Sequence, residues 1–119
     1  MQGETCIVSI EILYSTKKIA KTFSTEKLLV KTYGPAIARK LTLRLNQIRA
    51  SDSLGMMVAQ HIGRCHALRG QRDGQYAFDL EHPFRLIVEP VYSDPATKAA
   101  KDITQVKIIE IMEVTDYHG

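Results

Sequence analysis

The stretch Tyr76-Ala77-Phe78-Asp79-Leu80-Glu81-His82-Pro83-Phe84-Arg85-Leu86-Ile87-Val88-Glu89 decides the fold. Tyr76, Phe78 and Leu80 alternate with Ala77 and Asp79, and beyond Glu81-His82-Pro83 the residues Phe84, Leu86 and Val88 alternate with Arg85, Ile87 and Glu89. A period of two belongs to extended chain, because successive side chains leave opposite sides of the pleat. Proline cannot donate to a strand ladder, so the break at Pro83 reads as the turn between two arms. The pattern predicts a β-hairpin with one core face and with Arg85 on its polar side.

Outward from the hairpin, Gly70-Gln71-Arg72-Asp73-Gly74 has turn composition, and Arg64 to Leu68 is expected as the strand before it. Tyr92 to Lys101 reads as a polar connector containing Pro95. In the last strand the parity changes, since Val106 and Ile108 are followed by Ile109 and Ile111. That strand is either buried on both faces or bulged.

The first half has a different period. Ile7 to Tyr14 alternates as a strand, and Lys17 to Phe23 and Glu26 to Tyr33 follow as helices, with Ser24-Thr25 as a cap between them. Gly34-Pro35 ends one helix and starts the longest, Pro35 to Ala50, where Ile37, Leu41, Leu45 and Ile48 form a packing face and Lys40, Arg44 and Gln47 another. Ser51-Asp52-Ser53 caps a short helix through Leu54 to Ala59. A strand, then helices, then strands at the end imply an α+β fold, with helices on one face of a mainly antiparallel sheet. The chain of 119 residues with 45% hydrophobic content suits a single domain, residues 1–119.

Charge is unevenly placed. Lys17 to Arg49 holds nine cations (Lys17, Lys18, Lys21, Lys27, Lys31, Arg39, Lys40, Arg44, Arg49) against the single acid Glu26, although the whole chain is only +3. Asp102, Glu110, Glu113 and Asp116 make the end acidic against Lys107 alone. A basic half suggests a polyanionic partner, and a solvated helix face explains the same charges at about even odds. No apolar run reaches the roughly 20 residues of a membrane span, and Met1 to Thr5 has no signal-peptide pattern, so a soluble cytoplasmic protein with Cys6 and Cys65 reduced is expected.

The chemistry is concentrated in Arg64, His66, Arg69, Arg72, Arg85 and the closing Asp116-Tyr117-His118. On an extended strand Arg64 and His66 share a face. Taken singly, each arginine pairs with Asp73, Asp79 or Glu89; taken together they can converge with the imidazoles. That set suits RNA cleavage by its own 2′-hydroxyl: imidazoles move protons, and guanidiniums hold the charge of the phosphate transition state. Tyr117 can stack on a base or bond the phosphate, and Asp116 can orient an imidazole or guanidinium. No metal or cofactor is required. The histidines and Cys65 lack paired zinc spacing, Cys65 and His66 are strand neighbours pointing apart, and Gly70 and Gly74 lack the Lys-Ser or Lys-Thr of a phosphate loop. His61 and His82 read as surface or turn residues, Tyr33 as helix packing.

Gly63-Arg64-Cys65-His66-Ala67-Leu68-Arg69-Gly70, Gly74-Gln75-Tyr76-Ala77-Phe78-Asp79-Leu80, Pro83-Phe84-Arg85-Leu86-Ile87-Val88-Glu89-Pro90, Ile109-Glu110-Ile111 and Asp116-Tyr117-His118, in that order, resemble the HigB-like branch of the RelE/ParE toxin superfamily. The resemblance spans residues 7 to 118 in layout and is most specific from Gly63 onward. It implies a RelE-like, microbial-ribonuclease-type fold and the toxin of a type II toxin-antitoxin pair: a metal-independent endoribonuclease that cuts mRNA in the ribosomal A site and arrests growth. It places His66, Arg69, Arg85, Asp116, Tyr117 and His118 at active-site positions, and Lys40, Arg44, Arg64 and Arg72 toward RNA. The implied partners are the ribosome, mRNA and a helix-turn-helix antitoxin, with operator DNA reached only through that antitoxin and no membrane. The Tyr92 to Lys101 connector lengthens the chain relative to compact members and bears on antitoxin docking. Alternatives of the same fold are a non-nucleolytic toxin acting on a topoisomerase and a catalytically inactive RNA-binding regulator.

Overall fold

In the computed structural model, which describes residues 10–116, the alternating stretch folds back on itself as Tyr76–Asp79 (β3) against Phe84–Val91 (β4). Around it stand Glu11–Tyr14 (β1), His66–Ala67 (β2) and Ile108–Asp116 (β5). The helices are Lys17–Thr22 (α1), Glu26–Tyr33 (α2), Pro35–Arg49 (α3), Leu54–Ala59 (α4) and Pro95–Ala100 (α5). The five strands form one mixed sheet in the order β1-β5-β4-β3-β2, with β1 parallel to β5 and the other pairs antiparallel. This is the α+β arrangement that the pattern implies. Ile7 to Ser9, where the first strand is expected to begin, lie outside the described residues, as do Cys6, Tyr117 and His118.

The helix starts follow from local chemistry. Thr16, Thr25 and Ser53 are extended, and their hydroxyls accept from the backbone N–H three residues on, at 3.1, 3.2 and 3.1 Å. Gly34, at φ +87°, closes α2 just before Pro35 opens α3. Leu29 of α2, Ala38, Leu41, Leu45 and Ile48 of α3, and Leu54 and Met57 of α4 then pack on Phe78, Leu86, Val88, Ile109 and Ile111 of the sheet. Phe23 fills the end of this core, 5.6 Å from the ring of Tyr14 and 6.4 Å, edge to face, from Tyr33.

Three expectations are corrected. The strand at Arg64 to Leu68 is only the short β2; Ile62–Arg64 is a 3-10 turn with Gly63 and Arg64 both left-handed, at φ +56° and +55°. The connector after Tyr92 contains α5, whose start is written in Asp94-Pro95: Asp94 accepts from the Thr97 N–H at 2.8 Å, and Pro95 suits the first turn. Ile87 is not on a merely polar face, because Leu68, Ala77 and Met112 bury it fully on the helix-free side. Of the two readings of the last strand, the structure has the bulge. Ile111 opposes Val88 while Glu113 opposes Ile87, so Met112 is the extra residue; Val106 precedes the strand and closes a turn.

Candidate functional site

Sheet alternation separates the site from the core. With Phe78, Leu86 and Val88 committed to the helices, Ala77, Asp79, Arg85 and Ile87 project from the open face, and His66 opposes Ala77 on the edge strand. The bulge at Met112 carries Glu113 to the same side.

Asp79 is the hub. One carboxylate oxygen accepts from Arg85 Nε at 2.9 Å and the other lies 3.1 Å from Arg64 Nε. Two guanidiniums on one carboxylate leave a net positive charge at this patch. The pairs are unequal, because Arg85 and Asp79 keep only a quarter of their side-chain surface exposed whereas Arg64 keeps 82%. The Arg64 contact is therefore a weak, solvent-screened tether.

Below the hub sits Arg44, and here the helix pattern misleads. Arg44 is not on an open basic face: it is 9% exposed, its Nε donates to the Asp79 carbonyl at 2.7 Å, and Nη1 donates to Gln47 at 3.0 Å. Space for it comes from Gly63, where a Cβ would fall 2.5 Å from Arg44 Nε. The left-handed turn at Gly63 is thus the passage through which Arg44 reaches β3. Burial lowers the Arg44 pKa and nearby Asp79 raises it again, and the guanidinium stays charged.

His66 is exposed, and its Nδ1 lies 2.8 Å from the Arg64 carbonyl. A carbonyl only accepts, so Nδ1 carries the hydrogen, and in the neutral form of the ring Nε2 is the nitrogen with the lone pair. The left-handed conformation of Arg64 is part of what sets this imidazole. The arrangement joins an imidazole, a group able to exchange a proton, to guanidiniums, groups able to pair with anionic oxygens.

The remaining expected residues are distributed as follows. Arg72 bonds Glu113 at 2.9 Å and Gln75 at 3.2 Å, so it faces the acidic end of the sheet. Arg69 is exposed in the loop after β2. Lys40 is half-buried on α3, on the covered side of the sheet. Asp116 opposes Phe84, which puts it on the other side of the strand from Thr115 and Arg85. Tyr117 and His118 lie outside the described residues. His61 and His82 are exposed turn residues as expected. Asp79, named beforehand only as an ion-pair partner, is the organising residue; its signal was its place opposite Arg85 across the hairpin. Among the described residues no three His, Cys, Asp or Glu side chains converge as a metal site.

No family model, curated protein or solved structure matches this chain.

Proposed function

We propose that this chain is a toxin of the HigB-like, RelE/ParE type: a metal-independent endoribonuclease that cuts mRNA in the ribosomal A site. The observation that carries the reading is the open sheet face, where a histidine held as the Nδ1–H tautomer stands beside the Arg64, Asp79 and Arg85 cluster. In the reaction, His66 Nε2 accepts the proton of the 2′-hydroxyl as its oxygen attacks the adjacent phosphorus. Arg85 neutralises the charge that develops on the phosphate oxygens, and a second acid, for which His118 is the candidate, protonates the leaving 5′-oxygen. Arg64 is a positioning residue through its carbonyl, and Asp79 orients Arg85. The basic run from Lys17 to Arg49 supplies the field for a ribosomal RNA surface, and a helix-turn-helix antitoxin is the partner that silences the site.

The test is induction of the wild-type chain, His66→Ala and His118→Ala in a bacterial host, with new 5′ ends mapped on a translated reporter mRNA. Codon-phased cuts that vanish in both variants are expected. Growth arrest that persists equally in all three, without cuts, overturns the nuclease and points to a non-nucleolytic target.

A further inference from the structure

A second concavity lies at the edge of the sheet, around β2 and α5, in a part of the chain that the proposed chemistry does not use. Its volume is about 450 Å³, and Tyr76, Tyr92, Lys98, Lys101, Asp73 and Glu89 line it. Pockets that hold small ligands start at about 300 Å³, so one nucleotide fits. The rings of Tyr76 and Tyr92 are half-buried, and burial pushes both phenols up, with each feeling a nearby partner: Tyr92 for Tyr76, Asp102 for Tyr92. They are neutral, fixed aromatic surfaces at physiological pH. Lys98 belongs to α5 and Lys101 caps it in the left-handed conformation, so the connector helix brings both ammonium groups.

Two lysines against two carboxylates make the lining neutral in sum, which does not match a generic polyanion. It matches a ligand with an aromatic plane, one anionic group and hydrogen-bond donors. We propose that this cleft is a subsite for a single ribonucleotide of the RNA strand, with the base stacked on the tyrosines and its phosphate held by Lys98 and Lys101. Carboxylates only accept, so Asp73 and Glu89 favour a base whose edge presents adjacent donors. Guanine does so through N1–H and the 2-amino group; uracil sets carbonyl oxygens on both sides of its one N–H and is repelled. Leu68, which packs against Ile87 on the open face, also lines the cleft, so a strand seated there continues onto that face. This last step rests on the ribonuclease reading, whereas the nucleotide binding does not.

The experiment is an amide-resolved NMR titration of the full chain with guanosine 5′-monophosphate, uridine 5′-monophosphate and inorganic phosphate, repeated on Lys98→Ala/Lys101→Ala, whose exposed positions keep the fold. Expected are saturable shifts at Ala67, Gly74, Tyr92 and Lys98 with the guanosine nucleotide. Binding should be at least about tenfold weaker in the double variant, which loses both contacts to the phosphate, and about tenfold weaker for the uridine nucleotide. No saturable shift with the guanosine nucleotide, or equal shifts with phosphate alone, overturns the subsite. Equal affinity for the two nucleotides overturns the reading of the base edge. Because no cleavage is needed, nucleotide binding in a chain that makes no mRNA cuts would overturn the ribonuclease and support the cleft; cuts without nucleotide binding would do the reverse.

Discussion

The two faces of the β3–β4 hairpin are built from alternate residues of the same strands, yet they are used oppositely. On the covered face Phe78, Leu86 and Val88 are fully buried in one core with the apolar side chains of α2, α3 and α4. On the open face, among the described residues, Leu68, Ala77, Ile87 and partly buried Met112 form a small apolar cluster, and beyond it stand Asp79, Arg85, Arg64 and His66. The covered face supplies stability through contact area. The open face spends little on stability and holds charged groups at set distances. Arg44 ties a helix to the hairpin itself, starting on α3 and ending on the Asp79 carbonyl.

That contrast is most severely tested by Phe78→Ala. It should cost about 3–5 kcal/mol, the range for emptying a buried aromatic site, measured by denaturant unfolding. A cost below that of an exposed-residue substitution would break the distinction between the faces. Next, Arg44→Met removes the donors to the Asp79 carbonyl and Gln47, and about 1–3 kcal/mol should be lost. Catalytic effects come third: His66→Ala and Arg85→Ala should each lower cleavage at least about tenfold. Their unfolding midpoints should stay close to wild type for His66→Ala, which is exposed. The smallest effect belongs to Arg64→Ala, whose ion pair is mostly in solvent; a stability change within about 1 kcal/mol is expected.

Cys65 sharpens the comparison by pH. It lies in the covered core, and burial pushes its thiol from 9.0 up to about 12. The neutral thiol is the form the fold favours. Its contribution is complete below the unfolded value near pH 9 and is lost as pH rises from there toward about 12, because the unfolded chain releases the proton first. Unfolding measured from pH 8 to 11 should show a falling limb that Cys65→Ala makes shallower, the buried phenols Tyr33, Tyr76 and Tyr92 keeping the rest. An unchanged limb in that variant would assign the loss to other groups.

Much of this was legible in order. The period-two hairpin, the threonine and serine caps, Gly34-Pro35 and the α+β layering follow from local rules that need only neighbours in sequence. The start of α5 is also written in Asp94-Pro95, but six residues with no buried side chain show no apolar period to read. The site was legible in part: His66, Arg64 and Arg85 are brought together, while Arg72 turns to Glu113 and Asp116 falls on the other side of its strand.

The sequence by itself determined which residues alternate, where helices start, and that the chemistry-bearing groups cluster after Gly63. Tertiary structure alone decided that Arg44 is a buried strut, that Asp79 gathers two arginines, that Ile87 is sealed on the open face, and that Met112 is the bulge. The physical reason is range. Caps and periodicity act over a few bonded residues, whereas a guanidinium's direction depends on the space that Gly63 leaves and on a carbonyl 35 positions further along the chain.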